Sequence, residues 1–420
     1  MITLLRHPIP RRFFIAHGQS QLGTGAGYIA LVLIAYQRFH SSWAVALVLL
    51  ADFLPGILLS AYFGGLADRH SRRTLAIGAE LIRAAAFIAL AVSGSFGATL
   101  GLALLAGVGT AMFGPAVNAA LPSLVPAEQR SQATALYGAL HNAGYTLGPA
   151  LCGLLLLFGP TTWVLFINGA SFVVSAALLA GVPLDRVSAP AEEDSASAPA
   201  DAKQGARYAA RVSGVGALLV IGAMSVLCGA VINVAEPLLA IGSLHAGSSG
   251  FSILMTMYGV GLLAGAAYTS RLGSSLSTLR INFLAGVCVS GVAMLACAVA
   301  GSLAWALVPF ALAGFGNAVI VNPEIRLLQE LAAERLRGRV FGLRDSSECA
   351  CFVLAFIAAG ALLGIIGPRS MYVLSGVLLV ATAALGLLVF RLPRQAPPPL
   401  EEFAGDAVPS PALALESVSN

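Results

Sequence analysis

Charge is scarce in this chain of 420 residues. Charged residues make up only 10% of the sequence, hydrophobic residues make up 58%, and Lys203 is the one lysine. An ordinary globular domain carries charge on roughly a quarter of its residues. This chain is therefore far more apolar than such a domain. The composition predicts a membrane protein.

The missing residue types also exclude several kinds of chemistry. Without a second lysine the chain has no G-x-x-x-x-G-K-[ST] phosphate loop, which excludes ATP hydrolysis of that kind. The six histidines show no H-E-x-x-H spacing, and the six cysteines show no C-x-x-C spacing. We therefore expect no enzyme activity, no cofactor, no metal site and no disulfide. The six cysteines all lie in apolar runs: Cys152, Cys228, Cys288, Cys297, Cys349 and Cys351.

Long apolar runs fill most of the remaining sequence. A helix needs roughly 20 apolar residues to cross the hydrocarbon core, and only helices or closed barrels satisfy their backbone there. The runs are continuous rather than alternating, which favours helices. The sequence predicts an all-α membrane protein with about twelve spans, near 13–36, 43–65, 75–94, 98–120, 133–158, 162–182, 213–242, 249–270, 281–300, 303–323, 340–366 and 370–391.

The arginines predict the orientation of these spans. Almost all of them fall on one side of the membrane if both termini lie on that side; Arg38 and Arg369 fall opposite, and Arg83 lies inside a span. Positive residues concentrate in cytoplasmic loops. We therefore expect both termini in the cytoplasm of a cell whose inner or plasma membrane holds the protein. The net charge of +4 then reports topology rather than binding to nucleic acid.

A polar stretch divides the chain into two similar parts. The sequence GVGTA at 107–111 has a counterpart GFGNA at 314–318, and AEQRSQA at 127–133 has a counterpart AERLRGR at 333–339. Parallel repeats of six helices are a known transporter construction. We expect an N-terminal six-helix bundle at 1–183, a cytoplasmic linker at 184–211, a C-terminal bundle at 212–392 and a disordered tail at 393–420.

The loop after the second span holds four charges within six positions. The motif consists of Gly64, Gly65, Asp68, Arg69, Arg72 and Arg73. The arginines anchor the topology, but acidic residues contribute little to that rule, so Asp68 has no such explanation. The motif resembles the loop signature of the major facilitator superfamily, with Ser71 where that family usually has glycine. The resemblance implies that Asp68 meets the start of span eleven, near Gly338 to Gly342, when the cytoplasmic side is closed; a purely topological role is the alternative.

A second motif lies in span five and consists of Gly144, Gly148, Pro149 and Gly153, with Cys152 in place of a usual glycine. It resembles the signature of proton-coupled antiporters in the same superfamily, and its flanks resemble macrolide efflux proteins and siderophore exporters. The two glycines at 144 and 148 share one helix face and permit close contact. Gly261 and Gly265 repeat the spacing, so we expect spans five and eight to touch; simple tight packing is the alternative reading of the motif.

Ionisable residues inside spans are expensive and usually face a partner or a cavity. Asp52, Glu236 and Glu348 are therefore candidate proton-coupling groups, because a buried carboxyl group binds a proton more readily than an exposed one. Each could instead be hydrogen-bonded to neighbouring helices. Glu80 and Arg83 lie three apart, so they are predicted to form a structural pair. Candidate cavity residues, which could equally bind helices together, are Asn118, Asn142, Asn233, Asn317 and Tyr145.

The resemblance implies a twelve-helix transporter of the major facilitator type, working as a monomer in the lipid bilayer. It would export an amphipathic small molecule in exchange for protons by alternating access. A nutrient importer that symports ions is an alternative within transport. A non-transporting membrane scaffold or sensor on the same fold is the alternative from another class, since fold does not fix function.

Overall fold

The computed structural model describes residues 4–185, 213–273, 275–333 and 336–391, and every regular element in these ranges is helical. The prediction of an all-α protein is confirmed. The predicted linker and tail lie almost entirely outside the described residues. The described ranges contain eleven long helices: α1 Pro8–Phe39, α2 Ser42–Arg69, α3 Arg72–Val92, α4 Phe96–Ala120, α5 Arg130–Leu156, α6 Thr161–Leu179, α7 Ser213–Pro237, α8 Gly247–Thr269, α9 Leu276–Val299, α10 Leu303–Leu331 and α11 Arg337–Arg391.

Within the described ranges, nine helices are long and apolar enough to cross a membrane. The two long helices outside that set are α1 and α5, which carry more polar residues. Helix α11 has 55 residues, more than twice the length that one span needs. Its path changes at Gly367, where φ is 74° and ψ is 167°. The predicted spans 340–366 and 370–391 fall on the two sides of this residue, but the full count of twelve separate helices is not confirmed.

The ends of several helices are satisfied by side chains. Ser71, Ser95 and Ser275 each accept a hydrogen bond from a backbone N–H in the first turn of the following helix, at 3.1–3.2 Å. At the end of the bundle away from the α2–α3 loop, two arginine side chains instead donate to backbone carbonyl groups at helix C-termini. Arg38 donates to Leu90 O at 3.0 Å at the end of α3, and Arg369 donates to Ala298 O at 2.7 Å at the end of α9. Cations at helix C-termini complement the helix dipole.

The same helix pairings recur in the two parts of the chain. In the N-terminal half α1 packs on α5 and α6, α2 packs on α4, and α3 packs on α4 and α6. In the C-terminal half α7 packs on α11, α8 packs on α10, and α9 packs on α10 and α11. Two further pairings, α2 with α11 and α5 with α8, join the halves. This recurrence is what two related six-helix bundles would produce.

Glycines bring helices into close contact inside each half. A Cβ on Gly148 would lie 2.5 Å from Gly25 Cα in α1, and one on Gly144 would lie 2.5 Å from Gln21 O. In the other half, a Cβ on Gly265 would lie 2.6 Å from Phe315 O in α10. The glycine pairs of α5 and α8 therefore face neighbours within their own half.

Helices α5 and α8 do meet, but through other residues. A Cβ on Gly153 would lie 3.0 Å from Ser252 Cβ, and one on Gly259 would lie 2.8 Å from Thr146 O. Gly153 is five positions from Gly148, which rotates it to a different face of α5. The expected contact is present, and the expectation that the pairs at 144/148 and 261/265 form it was wrong.

Candidate functional site

Among the residues that the structure describes, the side-chain hydrogen bonds between the two halves lie at one end of the bundle. We call the end that carries the α2–α3 loop the basic end, and the other the opposite end. At the opposite end, Ser42 Oγ donates to Gly360 O at 3.3 Å, between α2 and α11. There too Gln37 Nε2 donates to Ser248 Oγ at 2.7 Å, between α1 and α8. These bonds close the bundle at the opposite end.

An aromatic cluster lies between this contact and the middle of the bundle. The Phe53 ring of α2 lies 5.3 Å from the Phe352 ring and 6.0 Å from the Phe356 ring of α11, measured between centroids. Such offset and edge contacts add to the stability that burial of the rings provides. The cluster therefore forms an apolar contact between α2 and α11.

A cavity of about 310 Å³ lies between the same helices, on the basic side of the aromatic cluster. The volume is at the lower end of the range of small-molecule sites. Nearer the basic end, a Cβ built on Gly64, Gly65, Gly338 or Gly342 would have no described atom of another helix within 4 Å. The cavity is lined by Gly56, Ile57, Asp345, Ser346, Cys349, Ala350 and Val353.

Asp52 lies one turn before Gly56 in α2 and is half-buried. Positions four apart share a helix face, which places Asp52 above the cavity, beside the aromatic cluster. Among the residues that the structure describes, none forms a hydrogen bond or ion pair with its carboxyl group. Its own backbone oxygen packs against Gly107 of α4. The side chain is therefore held in place by its helix and is free to bind a proton or a ligand.

Glu348 has a different environment, because it belongs to a charged cluster in α10 and α11. Arg344 lies 2.6 Å from Glu348, 3.3 Å from Glu324 and 3.2 Å from Asp345. Glu324 is only 2% exposed. Arg344 and Glu324 were not among the predicted site residues. The spacing of 344 and 348 and a lone acid in an apolar helix are the sequence signals that could have indicated them.

Glu236 lies inside the C-terminal half rather than on the cavity between the halves. It precedes Pro237, and the chain continues through a π-helical segment, Leu238–Ser243. Asn317 is close by, because its Nδ2 donates to Tyr258 Oη at 2.7 Å and Tyr258 lines the same small pocket as Glu236. The structure thus separates the three candidate carboxylates into three environments.

The other predicted cavity residues are spread over the molecule. Asn118 and Asn142 are exposed and Asn233 is half-buried. The side chain of Tyr145 lies outside the described residues. No described contact brings these residues together with Asn317 in one site.

A family model for transmembrane secretion effectors matches residues 2–416. The chain belongs to this family of major facilitator transporters. It is therefore a multi-pass membrane transporter and not an enzyme.

Relatives in the family are distant in sequence but cover nearly the whole chain. The chain is 23% identical to macrolide efflux protein A of Streptococcus pyogenes, covering 84% of this chain and 89% of the relative. It is 26% identical to the multidrug efflux pump Tap of Mycolicibacterium fortuitum, covering 89% and 92%. It is 28% identical to the enterobactin exporter EntS of Salmonella typhi, covering 94% and 97%.

Solved structures agree on the fold. The nucleoside transporter NupG superposes with a TM-score of 0.74 at 12% identity, covering 90% of this chain and 99% of that chain. A bacterial homologue of the lysosomal transporter Spinster, in an inward-facing and occupied conformation, gives a TM-score of 0.69 at 15% identity, covering 93% and 99%. At these identities the likeness shows the major facilitator fold alone.

A buried charge network stabilises the N-terminal half of this family member. Arg83 Nη1 lies 3.3 Å from Glu80 Oε2, and Glu80 also accepts hydrogen bonds from Ser175 Oγ at 2.6 Å and Ser20 Oγ at 3.2 Å. The Arg83 guanidinium lies 3.9 Å from the centroid of the Phe172 ring. These contacts join α1, α3 and α6, so the predicted pair is present and fully partnered at the carboxylate.

The signature loop makes contacts that the sequence did not indicate. Arg72 donates to Ala119 O at 2.8 Å near the end of α4, and the Arg73 side chain donates to Ala180 O at the end of α6. The Arg73 backbone N–H donates to Asp185 Oδ1 at 3.1 Å. Two arginines of the loop thus cap helix C-termini, where cations are favoured. Arg69 is exposed, and the side chain of Asp68 lies outside the described residues.

Proposed function

We propose that the protein is a proton-coupled exporter of amphipathic small molecules that works by alternating access, as a monomer in the cell membrane with both termini in the cytoplasm. The observation that carries this proposal is the packing of the halves at the opposite end above a mostly apolar cavity. Such a cavity, with few polar groups, suits a ligand that is partly apolar. The basic end is then the cytoplasmic end, and the described conformation would load substrate from the cytoplasm.

The direction of transport is supported by the relatives. Those named above carry out efflux of macrolides, of several drugs and of enterobactin, as their names state. The mostly apolar lining of the cavity adds the expectation of a partly apolar substrate. The same class of substrate is proposed for this chain.

Asp52 is the proposed coupling group. Its carboxyl group is half-buried beside the cavity and forms no hydrogen bond or ion pair with the described residues, whereas Glu348 is ion-paired with Arg344. A carboxylate without a partner inside a membrane protein is costly, so it gains most from binding a proton. Closing one end of the cavity and opening the other would expose Asp52 to the two sides in turn.

The test is a flux measurement with purified protein in liposomes. Wild-type protein is expected to concentrate a macrolide antibiotic against its gradient when a pH difference is imposed. Asp52→Asn keeps the shape of the side chain but removes its ability to bind and release a proton. Uphill transport should therefore be lost, while downhill exchange survives at least in part. Glu128→Gln, an exposed position, is the matched control and should transport normally.

Other results would redirect the proposal. If Asp52→Asn still concentrates substrate, Asp52 is structural, and Glu236 and Glu348 become the next candidates. Substrate that moves in the same direction as protons would identify an importer. Absence of flux for a broad panel of compounds would favour a scaffold or sensor built on the fold.

A further inference from the structure

A second, much smaller cavity lies inside the C-terminal half, away from the interface between the halves. Its volume is about 10 Å³. Apart from Glu236 and Tyr258, the residues that line it are buried. The lining comes from α7, α8, α9, α10 and α11: Ile232, Glu236, Tyr258, Met294, Cys297, Phe310, Ala313 and Tyr372.

Two phenol groups in this pocket need hydrogen-bond acceptors. Tyr372 is 1% exposed, and its Oη has no hydrogen-bond partner among the described residues. Tyr258 Oη already accepts a bond from Asn317, which leaves its own O–H to be donated elsewhere. Buried polar groups are nearly always hydrogen-bonded, and an unsatisfied one costs free energy. The Glu236 carboxyl group is the acceptor in the lining, yet neither phenol forms a direct bond to it among the described contacts.

The lining of the pocket also contains no positive charge to balance Glu236. Among the residues that line it, none is Lys, Arg or His, so Glu236 has no cationic neighbour there. The facing groups are Tyr258 from α8, Cys297 from α9 and Tyr372 from α11, and α10 contributes the amide of Asn317 behind Tyr258. A carboxylate that is withdrawn from water and has no cationic neighbour is stabilised when it takes up a proton or binds a cation.

The two phenol O–H groups show which molecule or ion suits the pocket, because each of them needs a hydrogen-bond acceptor. A sodium ion would accept nothing from an O–H group, so both phenols would still lack an acceptor. One water molecule can accept from a phenol and donate to a carboxyl oxygen, and it needs roughly 10–15 Å³ and two to four polar partners. The cavity offers that volume and three oxygen-bearing partners.

We propose that this pocket binds one water molecule, which bridges Glu236, Tyr258 and Tyr372 and makes Glu236 a second site of proton exchange, separate from Asp52. Tyr258 and Tyr372 are positioning residues for that water. Asn317 fixes the ring of Tyr258 from behind. Water binding in this pocket does not require that any particular carboxyl group couples proton movement to transport.

The experiment is infrared difference spectroscopy between acid and alkaline pH on the full-length protein in lipid, in ordinary water and in water labelled with oxygen-18. Wild-type protein should show an O–H stretching band that shifts with the heavy isotope. The band should be lost in Tyr372→Phe and in Glu236→Gln. Tyr268→Phe is the control, because Tyr268 is on α8 but bonds to Asn282 outside the pocket. It should keep the band.

Three results would overturn the proposal. The first is wild-type protein without an isotope-sensitive band. The second is a band that persists in both Tyr372→Phe and Tyr258→Phe; using two variants protects the test if one of them fails to fold. The third is a rise in melting temperature when sodium replaces potassium, if Glu236→Gln abolishes it, since that would identify a cation site. None of these readouts requires flux, so they separate this proposal from that of export.

Discussion

At the scale of single residues, buried charge is concentrated in two networks, one in each half. Glu80 and Arg83 of α3 form one with residues of α1 and α6, and Glu324 and Arg344 form the other. Breaking a buried ion pair by removing one partner leaves an uncompensated charge and costs several kcal/mol. Both networks should therefore matter more for stability than any exposed ion pair.

Replacing Glu80 tests this directly. Glu80→Gln should lower the free energy of unfolding by about 3–5 kcal/mol, because Arg83 would stay buried without a counter-charge. Thermal denaturation of the purified protein measures the loss. Adding Arg83→Met to the same chain should restore part of it, and Glu128→Gln should change little. A single Glu80→Gln variant as stable as wild type would contradict the interpretation.

The sequence predicts some of these residues and not others, for a physical reason. Glu80 and Arg83 are three apart on one helix, so their pairing is a local event that spacing reveals. Glu324 and Arg344 lie on different helices, and their contact depends on how α10 and α11 pack. Tyr258 and Tyr372 join one pocket in the same way, through tertiary packing alone. Local patterns carry no record of such contacts.

At the scale of helices, the close contact of α1 with α5 depends on glycine. Gly148 lies almost against the backbone of Gly25, which leaves no space for a side chain. Small residues at such interfaces let backbones approach and gain dispersion contacts. The signature in span five is therefore needed for packing, whatever further role it has in coupling.

Alanine at two positions of α5 separates packing from helix propensity. Gly148→Ala should destabilise the protein by about 1–3 kcal/mol, because the added methyl group forces α1 and α5 apart. Gly138→Ala lies on the same helix with no atom within 4 Å, so it should be neutral or stabilise by up to about 1 kcal/mol. Melting temperatures of the two variants report the difference. Equal effects at both positions would show that contact with α1 is unimportant.

Element positions were largely predictable, whereas element contacts were not. Apolar runs of about 20 residues are imposed by the bilayer, so the spans could be located from composition. The partner of a glycine face is set by rotation of the helix about its axis. Spacing shows that Gly144 and Gly148 share a face but not which helix that face meets. The assignment to α8 failed for this reason, and α1 is the observed neighbour.

At the scale of the whole molecule, export would depend on access to the cavity between α2 and α11. Cys349 lines the cavity and is half-buried, whereas Cys297 is 1% exposed inside the C-terminal half. A variant that keeps only Cys349 should react with a membrane-impermeant maleimide in inside-out vesicles and not in right-side-out vesicles. A variant that keeps only Cys297 is the control and should resist labelling in both. Labelling of Cys349 from outside would reverse the proposed orientation.

The same assay tests the proposed gate at Asp68. In the closed state an anion at the start of α11 would gain about 0.3–1 kcal/mol from the helix dipole. Asp68→Asn removes that gain, so the ratio of molecules with an open basic end to molecules with a closed one should rise by up to about fivefold. The rate at which Cys349 is labelled should rise with the open fraction. Asp68→Glu keeps the charge and should behave like wild type. Unchanged labelling and transport in Asp68→Asn would leave only a topological role.

The joint at Gly367 has a consequence for sequence change over evolution. The two segments of α11, before and after Gly367, are joined without a loop. No connecting residues are therefore available to absorb a change in length. Because an α-helix turns by about 100° per residue, an insertion or deletion of one residue there would rotate the final segment and turn its packed face toward lipid. Connections long enough to be flexible absorb such changes at small entropic cost. Homologous chains should therefore vary in length between the halves and keep a fixed length across this joint.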